Sequence, residues 1–146
     1  MLTKEDIDRI RSVCRELNSM GIKCNVEIEE FINYLSSPSY KPDSITIGDI
    51  LGNKYLLIHE LVEITLLKER GYSIDRNTIM KAYPDSYEAH LEAIGVELEL
   101  AFRNGDTWWL KTRLNDLLSY LEDPLLPVHL VDKLRNLIGR YRSLTR

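Results

Sequence analysis

The chain has 146 residues, 44% hydrophobic and 29% charged, enough for one domain, residues 1–146, with a real core and an ordinary charged surface. No apolar run reaches the roughly 18 residues that a membrane span needs, and Met1-Leu2-Thr3-Lys4-Glu5-Asp6 is too charged for the core of a signal peptide, so a cytoplasmic protein without a membrane partner is expected. Residues 107–146 hold seven Lys/Arg against four Asp/Glu, a net +3, and residues 1–106 hold twelve against nineteen, a net −7. The residues of the basic tail (Lys133, Arg135, Arg140, Arg142, Arg146) are spread around its helix rather than gathered on one face, so no nucleic-acid partner is expected.

The first helix is expected to start at Thr3, where Thr3 and Asp6 resemble a capping box. Ile7, Ile10, Cys14 and Leu17 follow at helical spacing, and Gly21 ends the helix. Residues 22–26 alternate loosely and read as a short strand, followed by a short helix in which Ile28, Phe31, Ile32 and Leu35 share a face. Ser36 to Asp43 is a loop by its Ser and Pro content. Ser44-Ile45-Thr46-Ile47 has the clearest β pattern of the chain. Cys14 and Cys24 fit no metal or redox spacing and are expected to be free thiols.

Asn53 caps the central helix, about Lys54 to Arg70, which Gly71 ends. Its apolar arc spans roughly 200° on a wheel of 100° per residue, so the helix should be packed on several sides. Asp75 caps a short segment up to Tyr83, which Pro84 breaks. A second long helix covers Ser86 to Phe102. Asn104-Gly105 ends it and Asp106 caps the next, Thr107 to Leu121, with a leucine stripe. Pro124 and Pro127 precede the last helix, about Val128 to Tyr141. The expected fold is mainly α, with five main helices and a small two-stranded sheet in a single domain.

Two apolar helices carry polar groups where leucine would be ordinary. On the central helix His59, Glu63 and Glu60 fall at roughly 0°, 40° and 100°. On the second long helix His90 and Glu97 lie within roughly 20° of each other. Packed side by side, the helices would bring His59, Glu63, His90 and Glu97 to one point. Two imidazoles and two carboxylates suit a divalent ion, zinc first, with iron or manganese as alternatives. The same groups can instead close on one another as ion pairs without a metal. A ferritin-like di-iron bundle would need Glu-x-x-His pairs, and the sequence has none.

Ile58-His59-Glu60-Leu61-Val62-Glu63 resembles the HExxH helix of the zincin metallopeptidases. The resemblance implies His59 as a zinc ligand and Glu60 as general base, with the second motif histidine replaced by Glu63. The third ligand of the gluzincin branch is a Glu on a later helix, for which Glu88 and Glu97 are candidates and the wheel favours Glu97. The implied function is a metal-binding, zincin-like hydrolase, active or degenerate. The other function class is a non-enzymatic helical interaction module with an internally satisfied His/Glu cluster. Trp108, which points away from the leucine stripe while Trp109 lies near it, would then mark the surface for a protein partner or a second copy. His129, near the start of the last helix, is expected to be exposed and without a role.

Overall fold

The computed structural model describes residues 2–36 and 46–145. Among them are eight α-helices: α1 (Lys4–Ser19), α2 (Ile28–Leu35), α3 (Ile47–Leu51), α4 (Lys54–Glu69), α5 (Thr78–Lys81), α6 (Asp85–Arg103), α7 (Thr107–Tyr120) and α8 (Val131–Leu144), the last entered through a 3-10 turn at Val128–Leu130. The chain divides into two compact units, Met1–Ala93 and Ile94–Arg146, and the division falls within α6.

The helix ends follow from local chemistry. The Thr3 hydroxyl accepts from the Asp6 N–H and the Asp6 carboxylate accepts from the Thr3 N–H, closing a capping box at the start of α1. Asn53 Oδ1 accepts from the N–H groups of Tyr55 and Leu56 and opens α4. Gly21 and Gly71 lie just beyond the ends of α1 and α4 with φ of +81° and +94°. That conformation crowds a Cβ and comes easily only to glycine.

In the first unit α4 is the element that α1, α2 and α3 pack against. Nine of its sixteen residues are buried, so it is a core helix rather than a surface helix with one apolar stripe. Ile10 and Leu17 of α1, Phe31 of α2 and Ile50 of α3 are all buried. In the second unit α7 packs on α8, and Leu114, Leu117, Leu134 and Ile138 are buried.

The expected two-stranded sheet is not there: no described residue is in a strand, and the fold is all-helical. Ser44 and Ile45 lie outside the described residues. Thr46 is a helix cap whose hydroxyl accepts from the Asp49 N–H while the Asp49 carboxylate accepts from the Thr46 N–H, and Ile47 begins α3. Capping satisfies these backbone groups locally, which the alternation of Ile and Thr did not disclose. Residues 22–27 have no strand to pair with among the described residues. Asn18 of α1 takes the place of a ladder, donating to the Cys24 carbonyl at 3.0 Å and accepting from its N–H at 2.9 Å. The Asn25 N–H donates to Thr65 Oγ1 of α4.

The two cysteines are not free thiols either. Cys14 and Cys24 form a disulfide, with Cα atoms 5.4 Å apart, that ties the linker before α2 to α1. Bridging residues ten apart in sequence removes denatured-state freedom worth about 2–3 kcal/mol. The replacement of both Cys14 and Cys24 by Ser is expected to lower the urea midpoint by that amount of stability, and dithiothreitol should do the same to the native chain. An unchanged midpoint in both cases would refute the stabilising role of the bridge.

Candidate metal centre

His59 and Glu63 stand one turn apart on α4, on the same face, and both are buried. The start of α6 brings the third group. Arg70, at the end of α4, lies 3.4 to 3.5 Å from the carboxylates of Asp85, Glu88 and Glu92. Tyr72 donates to Asp85 at 2.7 Å, and the Ser86 hydroxyl donates to the Ile79 carbonyl at 2.8 Å. These contacts fix the first turns of α6 against the end of α4, the segment after it and α5, and one turn after Ser86 stands His90, its side chain 20% exposed. The edge of Tyr87 also meets the His90 ring, centroids 6.3 Å apart.

The donor atoms of the three residues converge. His59 Nε2 lies 3.0 Å from His90 Nδ1. Glu63 Oε1 lies 2.9 Å from His90 Nδ1 and 3.3 Å from His59 Nε2. The two imidazoles meet edge to face, with centroids 4.7 Å apart. The other carboxylate oxygen is held from α2: the buried Tyr34 hydroxyl donates to Glu63 Oε2 at 2.5 Å. α2 is itself fastened to α4 by Lys68, which donates to Glu30 at 2.8 Å and to the Asn25 carbonyl at 2.9 Å.

Burial alone would raise the Glu63 carboxyl, but hydrogen bonds from His59 and His90, and their charge when protonated, outweigh it and hold the group well below the usual carboxylate range. Glu63 is thus an anion and can only accept. Each ring nitrogen is either an N–H donor or a lone-pair acceptor. Among three atoms with two roles, two must share a role, so one of the three short contacts is unbonded in every protonation pattern. One His90 Nδ1–H shared between Glu63 Oε1 and His59 Nε2 gives each atom a partner; a single cation taking the place of that proton is the other way to close the triangle. Ligand atoms about 2.0–2.2 Å from an ion are separated by roughly 3 Å at right angles and roughly 3.3–3.4 Å at tetrahedral angles, and the three edges fall in that range.

Three of the four expected ligands therefore come together, and they form the one group among the described residues whose spacing suits a metal ion. The fourth, Glu97, is engaged in the second unit. It is fully buried; its Oε1 accepts from Trp109 Nε1 at 2.9 Å and its Oε2 from Arg113 Nη2 at 3.2 Å. Arg113 Nε lies 2.8 Å from Oε1, a charge contact whose N–H misses hydrogen-bond alignment. Burial would lower the Arg113 guanidinium, but the facing carboxylate of Glu97 more than offsets this and keeps it firmly charged. With an indole and a guanidinium on its two oxygens, Glu97 is already paired within the second unit. Glu88, the other candidate, faces Arg70. Glu60 is half-buried on α4, one residue beyond His59.

Tyr34 is the residue that sequence reading passed over. The helical face of Ile28, Phe31, Ile32 and Leu35 was legible, and a tyrosine within such a short amphipathic helix needs a partner for its hydroxyl when buried. That need was the available signal.

The Glu97–Arg113 pair makes a separate prediction. Arg113→Met strands a buried carboxylate and should cost about 3–5 kcal/mol in urea denaturation. Adding Glu97→Leu to that variant should recover much of the loss, because neither charge then remains unpaired; a double variant as unstable as the single one would contradict this account.

Comparison with protein-family models, with curated proteins and with solved structures finds no match to this chain.

Proposed function

We propose that His59, Glu63 and His90 hold a divalent metal ion, zinc first and iron or manganese next, and that the protein is a metal-dependent hydrolase of zincin-like chemistry. The observation that carries this is the triangle of three donor atoms 2.9, 3.0 and 3.3 Å apart, the spacing of ligand atoms around one cation. A catalytic zinc characteristically has three protein ligands, His2Glu among them, and keeps a fourth position for water, whose pKa it lowers to about 7. The partial exposure of His90 gives that position a side from which water and substrate can arrive. Glu60 is assigned as the proton acceptor on the strength of its place in the His-Glu-x-x-Glu sequence.

Elemental analysis of protein purified without chelator tests the reading. About one equivalent of metal is expected, and its loss in His59→Ala and His90→Ala. Added ion at a hundred times its dissociation constant should stabilise the folded chain by about 2.7 kcal/mol. A metal-free protein whose thermal midpoint ignores zinc, manganese and iron would remove the reading altogether. Glu60→Gln is expected to keep the ion and to lower hydrolysis of ester and peptide substrates by about 100-fold or more.

A second reading is supported by Trp108, 72% exposed at the start of α7. As an anchor for a protein partner or a second copy it would make the chain an interaction module, with the His/Glu group a closed structural cluster. Light scattering of the native protein and of Trp108→Ala separates the two, since a monomer unaffected by the substitution leaves this surface without a role as a self-association site. No described helix is long and apolar enough to cross a membrane. A cytoplasmic location remains the proposal from sequence, and the disulfide lends it no support, because such bridges persist mainly in oxidising compartments.

A further inference from the structure

We infer that Tyr34 is a positioning residue for the metal: it occupies Glu63 Oε2 so that the carboxylate presents Oε1 alone to the ion. The inference rests on the metal-binding reading above and adds the mode of coordination to it. A carboxylate beside a divalent ion can bind through one oxygen or chelate through both, and the choice sets how many positions are left for water and substrate. Here the two oxygens of Glu63 are already different. Oε1 faces His90 Nδ1 and His59 Nε2 at 2.9 and 3.3 Å. Oε2 receives the Tyr34 hydroxyl at 2.5 Å, the short distance of a hydrogen bond to an ionised oxygen.

To chelate, the carboxylate would have to rotate Oε2 toward the ion and away from the phenol. That would break the buried Tyr34–Glu63 hydrogen bond, and Tyr34 has little freedom to follow. Its ring is buried, and the adjacent turn of α2 carries the fully buried Phe31. The Lys68–Glu30 ion pair at 2.8 Å fastens the start of the same helix to α4. Tyr34 therefore selects the one-oxygen mode through the carboxylate it holds, without touching the ion. Outer partners of this kind typically change metal affinity by about 10–100-fold.

The test is an infrared difference spectrum, zinc-loaded minus metal-free, of the native protein and of Tyr34→Phe, with zinc affinity measured by chelator competition. In the native protein a wide separation between the antisymmetric and symmetric carboxylate stretches, the mark of one-oxygen binding, is expected. In Tyr34→Phe the separation should narrow toward the chelating value and zinc should bind about 10–100-fold more weakly. A chelating signature in the native protein overturns the inference. So does a variant that keeps both the native spectrum and the native affinity, while the metal-binding reading survives in either case. A native protein that takes up no zinc overturns both together. Should Tyr34→Phe not fold, the native spectrum alone decides, wide separation supporting the inference and narrow separation overturning it.

Discussion

An ionised carboxylate inside an apolar helix is the constraint on which the first unit turns. Glu63 stands among Leu61, Val62 and Ile64, all buried with it, and a charge so placed costs several kcal/mol unless its oxygens are met. Meeting them takes three elements. α4 supplies His59 from one turn earlier, α2 supplies the Tyr34 hydroxyl, and the start of α6 supplies His90. The contacts that look merely structural then acquire a purpose: Lys68 with Glu30, and Arg70 with the acidic residues of α6, lock the helices that carry the partners of Glu63.

The second unit faces the same problem and solves it differently. Glu97 is as deeply buried, yet it is met by a guanidinium, a permanent cation, together with an indole N–H. That site is closed in charge. The groups acting on Glu63 are imidazoles and a phenol, and an imidazole carries charge only when it takes up a proton. Protonating one imidazole balances the charge but leaves two of the three donor atoms in the same role. A divalent ion more than offsets the one carboxylate, leaving positive charge for a bound hydroxide or an anionic substrate, and gives all three atoms a common partner. The two glutamates therefore differ in their partners: Glu97 faces a permanent cation, and Glu63 faces groups that can close on one another or take up an ion.

Much of this was legible in the residues. Asn53, Gly71, Asp106 and the Thr3–Asp6 pair announced where helices start and stop, because capping is local chemistry. The width of the apolar arc on α4 announced a helix packed on several sides. His59 with Glu63 was legible as a one-turn pair, and His90 as its partner on a second helix. Glu97 was misplaced because a helical wheel gives direction and not height: residues seven apart stand about 10 Å apart along any α-helix. The expected sheet failed for a related reason, since alternation shows that a segment suits a strand but not that another strand is there to pair with it. The disulfide was invisible because it depends on a fold that returns Cys24 to α1, which spacing alone does not encode.

The placement of the three donors also decides how binding would couple to the rest of the molecule. Two of them share one turn of α4, so their separation is set by helix geometry and survives small movements. The third arrives on another helix, held by Tyr72, Ser86 and the Arg70 contacts. Loosening that attachment would open the triangle without altering α4, and the same loosening would admit water at His90, the most exposed of the three groups. The triangle in turn links α4 to α6 through polar contacts of 2.9 and 3.0 Å. An ion seated there would bind only the assembled arrangement, so its binding free energy would add to the stability of the helices that form it.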